Sequence, residues 1–193
     1  YNFNNTKEKI SNKIYILNKT ITGETTSKKI NKLIKILVKK KINYLYVSAS
    51  ENVNWILNIR GKDLPNSPLV NCKLIVSDKG KLYLFVDKNK ITNLKKKLNK
   101  NINFYNEKDF FKIIYHFGKG KICIDKTTCS IYEEQIIRSK LKIIENIDPI
   151  YNLKSIKNKT EISNTIKAHI EDGVALTKFL YWFKTNKRKI DEK

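Results

Sequence analysis

Methionine is missing from all 193 residues, position 1 included, so the sequence reads as a processed product or an interior piece of something longer. Cysteine is scarce. Cys72, Cys123 and Cys129 form an odd set without CxxC spacing, which argues against a disulfide framework or a zinc site and for reduced, mostly buried thiols in a cytoplasmic protein. Histidine occurs twice, at His116 and His169, too thin a supply for a histidine-rich metal centre. No apolar run approaches the roughly 20 residues of a membrane span, and no signal-peptide pattern opens the chain. No membrane partner is therefore expected. Proline is limited to Pro65, Pro68 and Pro149, two of them in one loop.

Arginine is rare too, and that shapes the reading of the charge. The formal net charge is +22, yet among forty basic residues only Arg60, Arg138 and Arg188 are arginine. Lysine is abundant together with Asn, Ile and Tyr, the set that A/T-rich codons supply. A nucleic-acid surface concentrates Arg and interleaves it with exposed aromatics. Here the lysines are scattered, with short runs at Lys39–Lys41 and Lys95–Lys97 near expected helix ends, where cations complement the dipole. Solvated lysine faces are the expectation, with weak salt-sensitive attraction to anions and no specific nucleic acid. A basic nucleic-acid-binding domain is kept as a further alternative.

What is present suits one domain and an appendage: the hydrophobic fraction is 40%, enough for a core. Residues 14–17 (Ile-Tyr-Ile-Leu) fit a strand or a linker. Ile30, Leu33, Ile34, Leu37 and Val38 make a helical stripe after the capping hydroxyls of Thr25, Thr26 and Ser27. Residues 44–48 read as a strand, and Ser50 as the cap of a short helix holding Val53, Trp55, Ile56 and Leu57. Residues 69–76 and 82–86, joined across Ser77-Asp-Lys-Gly80, read as a hairpin. A helix at 91–98, a strand at 102–105 and a helix capped by Asn106 follow. Then come a strand at 121–125, a capping box at Ser130 and Glu133, and a strand at 141–144. Alternation broken by one hairpin predicts α/β architecture with a mixed β-sheet flanked by helices. Asp148-Pro149 marks a boundary. Beyond it, Asn158-Lys-Thr-Glu161 caps a long helix whose Ile162, Ile166, Ile170, Val174, Leu180 and Tyr181 share one face and need a partner.

The most informative stretch is Trp55-Ile-Leu-Asn58-Ile-Arg60-Gly61-Lys-Asp63, with Pro68 and then the strand ending Leu82-Tyr-Leu-Phe-Val-Asp87. About a hundred residues later come Lys157-Asn-Lys-Thr-Glu161 and Ala168-His-Ile-Glu-Asp-Gly-Val-Ala-Leu176. In this order they resemble aminopeptidase P, the Xaa-Pro aminopeptidases of the creatinase/prolidase (M24-type) peptidases, over about residues 15 to 185. Asn54 stands where the family has Ala, and Asn164-Thr165 and Ile166-Lys167 replace its Gly-Met and Arg. The resemblance implies a creatinase N-terminal, ribonuclease H-like domain at 23–153. It implies an arriving segment at 1–22, and at 154–193 the first helix of a truncated pita-bread catalytic domain.

The same resemblance implies a hydrolase that removes an N-terminal residue preceding proline, using two divalent metal ions, expected to be manganese. Those ligands lie after the Ala-His-Ile helix, so this chain is expected to hold no catalytic residue, metal or cofactor and to be inactive alone. Its implied partners are peptides with proline in second place and the catalytic domain of the same polypeptide, with a homodimer when full length. The alternative is a free-standing scaffold or dimerisation module that has lost its catalytic half. Arg60, between Asn58-Ile59 and Gly61 in a Pro-braced loop, is a donor fork suited to a carboxylate or peptide carbonyl. Because the family's N-terminal domains wall the cleft, Arg60, Asn58 and Asp63 become substrate-cleft candidates. The competing reading makes Arg60 and Asp63 a local ion pair and Trp55 plain core. His116 reads as packing or capping, and His169 as helix packing.

Overall fold

Leu33 and Leu37 sit one turn apart and are buried on helix α2 (Thr26–Lys39), which starts where the Thr25 hydroxyl accepts from the Lys28 N–H. The computed structural model describes residues 14–91, 98 and 101–186, so residues 92–97 of the expected helix at 91–98, the lysine run Lys95–Lys97 among them, lie outside the described residues. In chain order α2 is preceded by β1 (Tyr15–Ile16) and the single turn α1 (Lys19–Thr22). It is followed by β2 (Tyr44–Val47), α3 (Ser50–Leu57), β3 (Ile59–Arg60), β4 (Lys73–Ser77) and β5 (Leu82–Phe85). Then come β6 (Ile102–Tyr105), α4 (Phe110–Tyr115), β7 (Lys121–Ile124), α5 (Ile131–Arg138) and β8 (Lys142–Glu145). Helices α6 (Pro149–Ser155) and α7 (Lys159–Thr185) close the series.

Six strands form one sheet in the order β6-β5-β4-β2-β7-β8, while β1 and β3 pair separately. The hairpin pairs β4 with β5 antiparallel, and β2 joins β4 antiparallel, but β5–β6, β2–β7 and β7–β8 are parallel. The sheet is thus mixed and helices cover both faces, as the alternation predicts. One face carries Leu45, Val47, Leu74, Val76, Leu82 and Leu84, packed with α2, α3 and Ile150 of α6. The other carries Tyr46, Ile75, Phe85, Ile122 and Ile124 under Phe110 and Ile114 of α4 and Ile136 and Ile137 of α5. Alternate residues of one strand face opposite layers, so both layers draw on continuous apolar runs. Each fully buried Leu or Ile contributes about 1.5–3 kcal/mol.

Three expectations need correction. Ser50 does not cap α3: Ala49 is the N-cap, without a side-chain bond, and the Ser50 hydroxyl instead donates to Cys72 O at 3.0 Å and accepts from Cys72 N at 3.2 Å. The first hairpin strand begins at Lys73 rather than residue 69. There the Val70 N–H donates to Asn54 Oδ1 at 2.9 Å, a helix side chain replacing a strand partner. Asp148-Pro149 is not a break in structure but a helix start. Asp148 caps α6 through Ile150 N, Pro149 occupies the first turn, and Ile150 is fully buried. Proline is well suited to that position because its missing N–H would be unpaired anyway.

Candidate functional site

Helix α3 ends at Asn58, which takes a left-handed conformation (φ 55°) and turns the chain into β3. Asn tolerates that region better than other residues with a Cβ. Its side chain is buried and spoken for: Oδ1 accepts from Lys29 Nζ at 2.8 Å and Nδ2 donates to Glu24 O at 2.8 Å. Arg60 follows in β3, opposite Tyr15 of β1. Its Nη1 donates to Ile59 O at 2.7 Å and Asn54 O at 3.2 Å, meeting a carbonyl of the last turn of α3. The guanidinium is half-buried, and loss of solvation pulls its pKa downward.

Gly61 is required by closeness. A Cβ there would lie 2.7 Å from Val70 Cγ2, because residues 61–63 run against 68–70. Asp63 then turns away from Arg60. Its Oδ1 pairs with Lys90 at 2.7 Å and its Oδ2 accepts from Asn71 N at 2.8 Å. The local Arg60–Asp63 ion pair therefore does not form. Pro65 and Pro68 flank Asn66, a second left-handed residue (φ 60°), and the loop 62–68 lines a shallow hollow of 460 Å³. The three candidates share one loop but face different partners. Asn58 holds the helix–strand turn, Asp63 holds the loop to Lys90, and Arg60 alone keeps donors beyond Nη1 for another partner.

Trp55 is not plain core. It packs against the first hydrophobic layer, but its indole N–H reaches Glu161 Oε1 at 3.4 Å on α7. Glu161 Oε2 accepts from Asn158 N at 2.9 Å, completing the capping box read from the sequence. Asn158 Nδ2 donates to Thr22 O at 2.9 Å, and Asn164 Nδ2 donates to Ile21 O at 3.1 Å. Gly23 permits the approach, since a Cβ there would overlap Asn158 Oδ1. A second hollow of 410 Å³ opens between Trp55, Lys154, Lys157, Glu161 and Asn164.

The sequence reading missed Lys29, whose Nζ stands 3.8 Å over the Trp55 ring and donates to Trp55 O at 2.9 Å. Burial lowers its pKa to about 8, with Glu161 and Glu24 opposing the shift. Its spacing was the available signal, because 29, 33 and 37 fall on one helical line. His116 Nδ1 donates to Lys112 O at 2.6 Å at the end of α4, as the capping reading has it. His169 lies exposed on α7.

Among the described residues no group of three or more His, Cys, Asp and Glu side chains is placed to hold a metal ion. Nor is any helix of the described residues long and apolar enough to cross a membrane. A mixed sheet between helix layers, with a Trp-Asn-Arg-Gly loop seated beside the head of a long helix, defines the class of N-terminal domain found in creatinase- and prolidase-type proteins. The family model for the creatinase/prolidase N-terminal domain matches residues 5–161, and the chain belongs to that family.

Similar proteins narrow the comparison. Xaa-Pro aminopeptidase 1 of Dictyostelium discoideum is 33% identical over 175 residues, covering 89% of this chain and 27% of its own length. Xaa-Pro aminopeptidase ApepP of Drosophila melanogaster is 35% identical over 179 residues, covering 89% and 29%. The solved structure of X-prolyl aminopeptidase from Caenorhabditis elegans, described as a cytosolic enzyme with a di-nuclear active site, superposes with a TM-score of 0.79. That match has 24% identity and covers 91% of this chain and 30% of the other, so it shows the fold. The chain spans less than a third of the length of these relatives.

Proposed function

We propose that this chain is a non-catalytic domain of a metal-dependent Xaa-Pro aminopeptidase, shaping the substrate cleft beside a catalytic half that α7 leads into. The observation that carries the reading is the meeting of the two resembling stretches, Trp55 with Glu161, in one joint. Helix α7 supports it. None of its residues is buried, and Ile166, Ile170 and Trp182 are 56, 63 and 52% exposed. A 27-residue helix with that much bare apolar surface is stable only when covered. The division between domains, read from the sequence at 153 and 154, falls inside α6, and we place it after that helix.

In this reading Arg60 supplies the cleft wall with a half-desolvated donor fork for a carboxylate or carbonyl of the peptide. Asn58 and Asp63 hold the turn and loop that present it. The metal ligands belong to the catalytic half, where two divalent ions, expected to be manganese, would activate water and polarise the scissile carbonyl. No step of that chemistry falls to a residue of this chain. Substrates are peptides with proline in second place. A homodimer of the whole polypeptide and a cytoplasmic location complete the proposal, the latter consistent with three unpaired thiols.

The test is direct. The chain incubated with manganese and a proline-second peptide should release no N-terminal residue, while the polypeptide carrying it into a two-metal half should release it. Turnover by the chain alone would reject the non-catalytic assignment. In the active polypeptide, Arg60→Ala should lower kcat/KM about tenfold, the scale of one lost charge-assisted hydrogen bond. Unchanged kinetics would remove Arg60 from the cleft.

A further inference from the structure

Lys29 is 1% exposed, at a position where leucine would continue the Leu33 and Leu37 line and carry no desolvation penalty. A buried ammonium must have its three N–H groups met, and the surroundings meet them. Asn58 Oδ1 lies at 2.8 Å, Trp55 O at 2.9 Å, and the Trp55 ring centroid at 3.8 Å. The first partner opens the strand that carries Arg60. The ring belongs to the indole that reaches α7 through Glu161. The charged groups around Lys29 come from four sides: Glu24 before α2, Lys32 on α2, Arg60 on β3 and Glu161 on α7.

Helix α7 is held to the body by polar contacts, those of Asn158, Glu161 and Asn164, and buries no side chain of its own. Its direction therefore depends on hydrogen-bond geometry at its first two turns rather than on apolar packing. Hydrogen bonds are directional where packing is not.

We infer that Lys29 is a positioning residue that joins the Arg60 strand and the head of α7 into one mechanical unit. Its functional consequence rests on the aminopeptidase reading: the cleft wall and the catalytic half that follows α7 keep a set relation. The coupling itself is a property of this chain.

Hydrogen exchange on the full chain tests it. Lys29→Met should accelerate exchange about tenfold at residues 58–60 and 159–165 together, leaving β2, β4 and β7 protected. Acceleration of one segment alone, or of neither, would overturn the inference. Should that variant fail to fold, Trp55→Phe, which removes only the indole N–H and one ring, should again loosen both segments, and loosening of α7 alone would count against it. Glu161→Gln keeps an acceptor oxygen but removes a charge that raises the Lys29 pKa. The Lys29 titration, near 8 in the parent, should then move down, and an unmoved midpoint would show that α7 does not reach it. Xaa-Pro hydrolysis by the unaltered polypeptide decides the aminopeptidase reading separately, whatever the exchange shows.

Discussion

Lys29 makes the stability of this protein depend on pH in an unusual direction. Its folded pKa, about 8, lies below the ordinary lysine value of 10.5, so above pH 8 the unfolded chain binds more protons than the folded one. Unfolding free energy should therefore rise with pH, by up to about 1.4 kcal/mol per unit. The window for observing this is pH 8 to 9. The thiols act oppositely: burial raises Cys123 to about 11 and Cys129 to about 12, stabilisation that is fully present below the ordinary thiol value of 9.0 and is lost as pH climbs from there through those values. Urea denaturation at pH 8 and 9 should show the parent gaining stability relative to Lys29→Met, in which the thiols are unchanged. Tyr46 offers a second residue-scale test. Its hydroxyl is buried beside the Glu133 carboxylate without meeting full hydrogen-bond geometry, so Tyr46→Phe should lower the melting temperature only slightly or not at all. Loss of several degrees would show that the hydroxyl has a partner. At this scale the sequence was only partly legible. Asn58, Arg60 and Asp63 drew attention by their chemistry, but which atom each would face depended on chain segments up to 34 residues away, Glu24 and Lys90 among them.

Elements were more legible than residues where local chemistry settles them. The boxes Ser130 with Glu133 and Asn158 with Glu161 start α5 and α7 because each satisfies helix N–H groups without help from elsewhere. The Gly80 turn (φ 78°) closes the hairpin for the same reason. Asn158→Ala should cost about 1–2 kcal/mol, measured by thermal unfolding, since it removes a cap as well as the bond to Thr22 O. Gly61→Ala should cost about 1–3 kcal/mol, because Val70 must move to admit the methyl group. An alanine variant as stable as the parent would mean the loop relaxes freely. The elements that sequence missed are those that non-local partners create. The two-residue strand β3 exists because it meets β1, in a segment the sequence left open as strand or linker, and α6 because Ile150 fills a place in the first layer.

The whole molecule carries its charge and its bare apolar surface in different ways. Scattered lysines need no partner; the exposed side chains of α7 do. Ile166→Glu with Ile170→Glu should leave the melting temperature of the α/β body within a degree or two, since neither residue is buried there. In the active polypeptide the same pair should abolish Xaa-Pro hydrolysis by placing two carboxylates in a covered interface. Retained activity would show that this face is not covered by the catalytic half.

Periodicity was sufficient for the α/β class and the mixed sheet, because those features rest on local propensity and on apolar spacing that each segment carries with it, and the resemblance of two ordered motifs was sufficient for the family. Tertiary structure alone decided that Asp63 turns to Lys90 instead of Arg60, that Trp55 stands at a joint as well as against the core, and that a lysine is buried beneath it. The physical reason is that directional polar contacts form only between groups that folding has already brought within about 3 Å, and sequence distance says nothing of that.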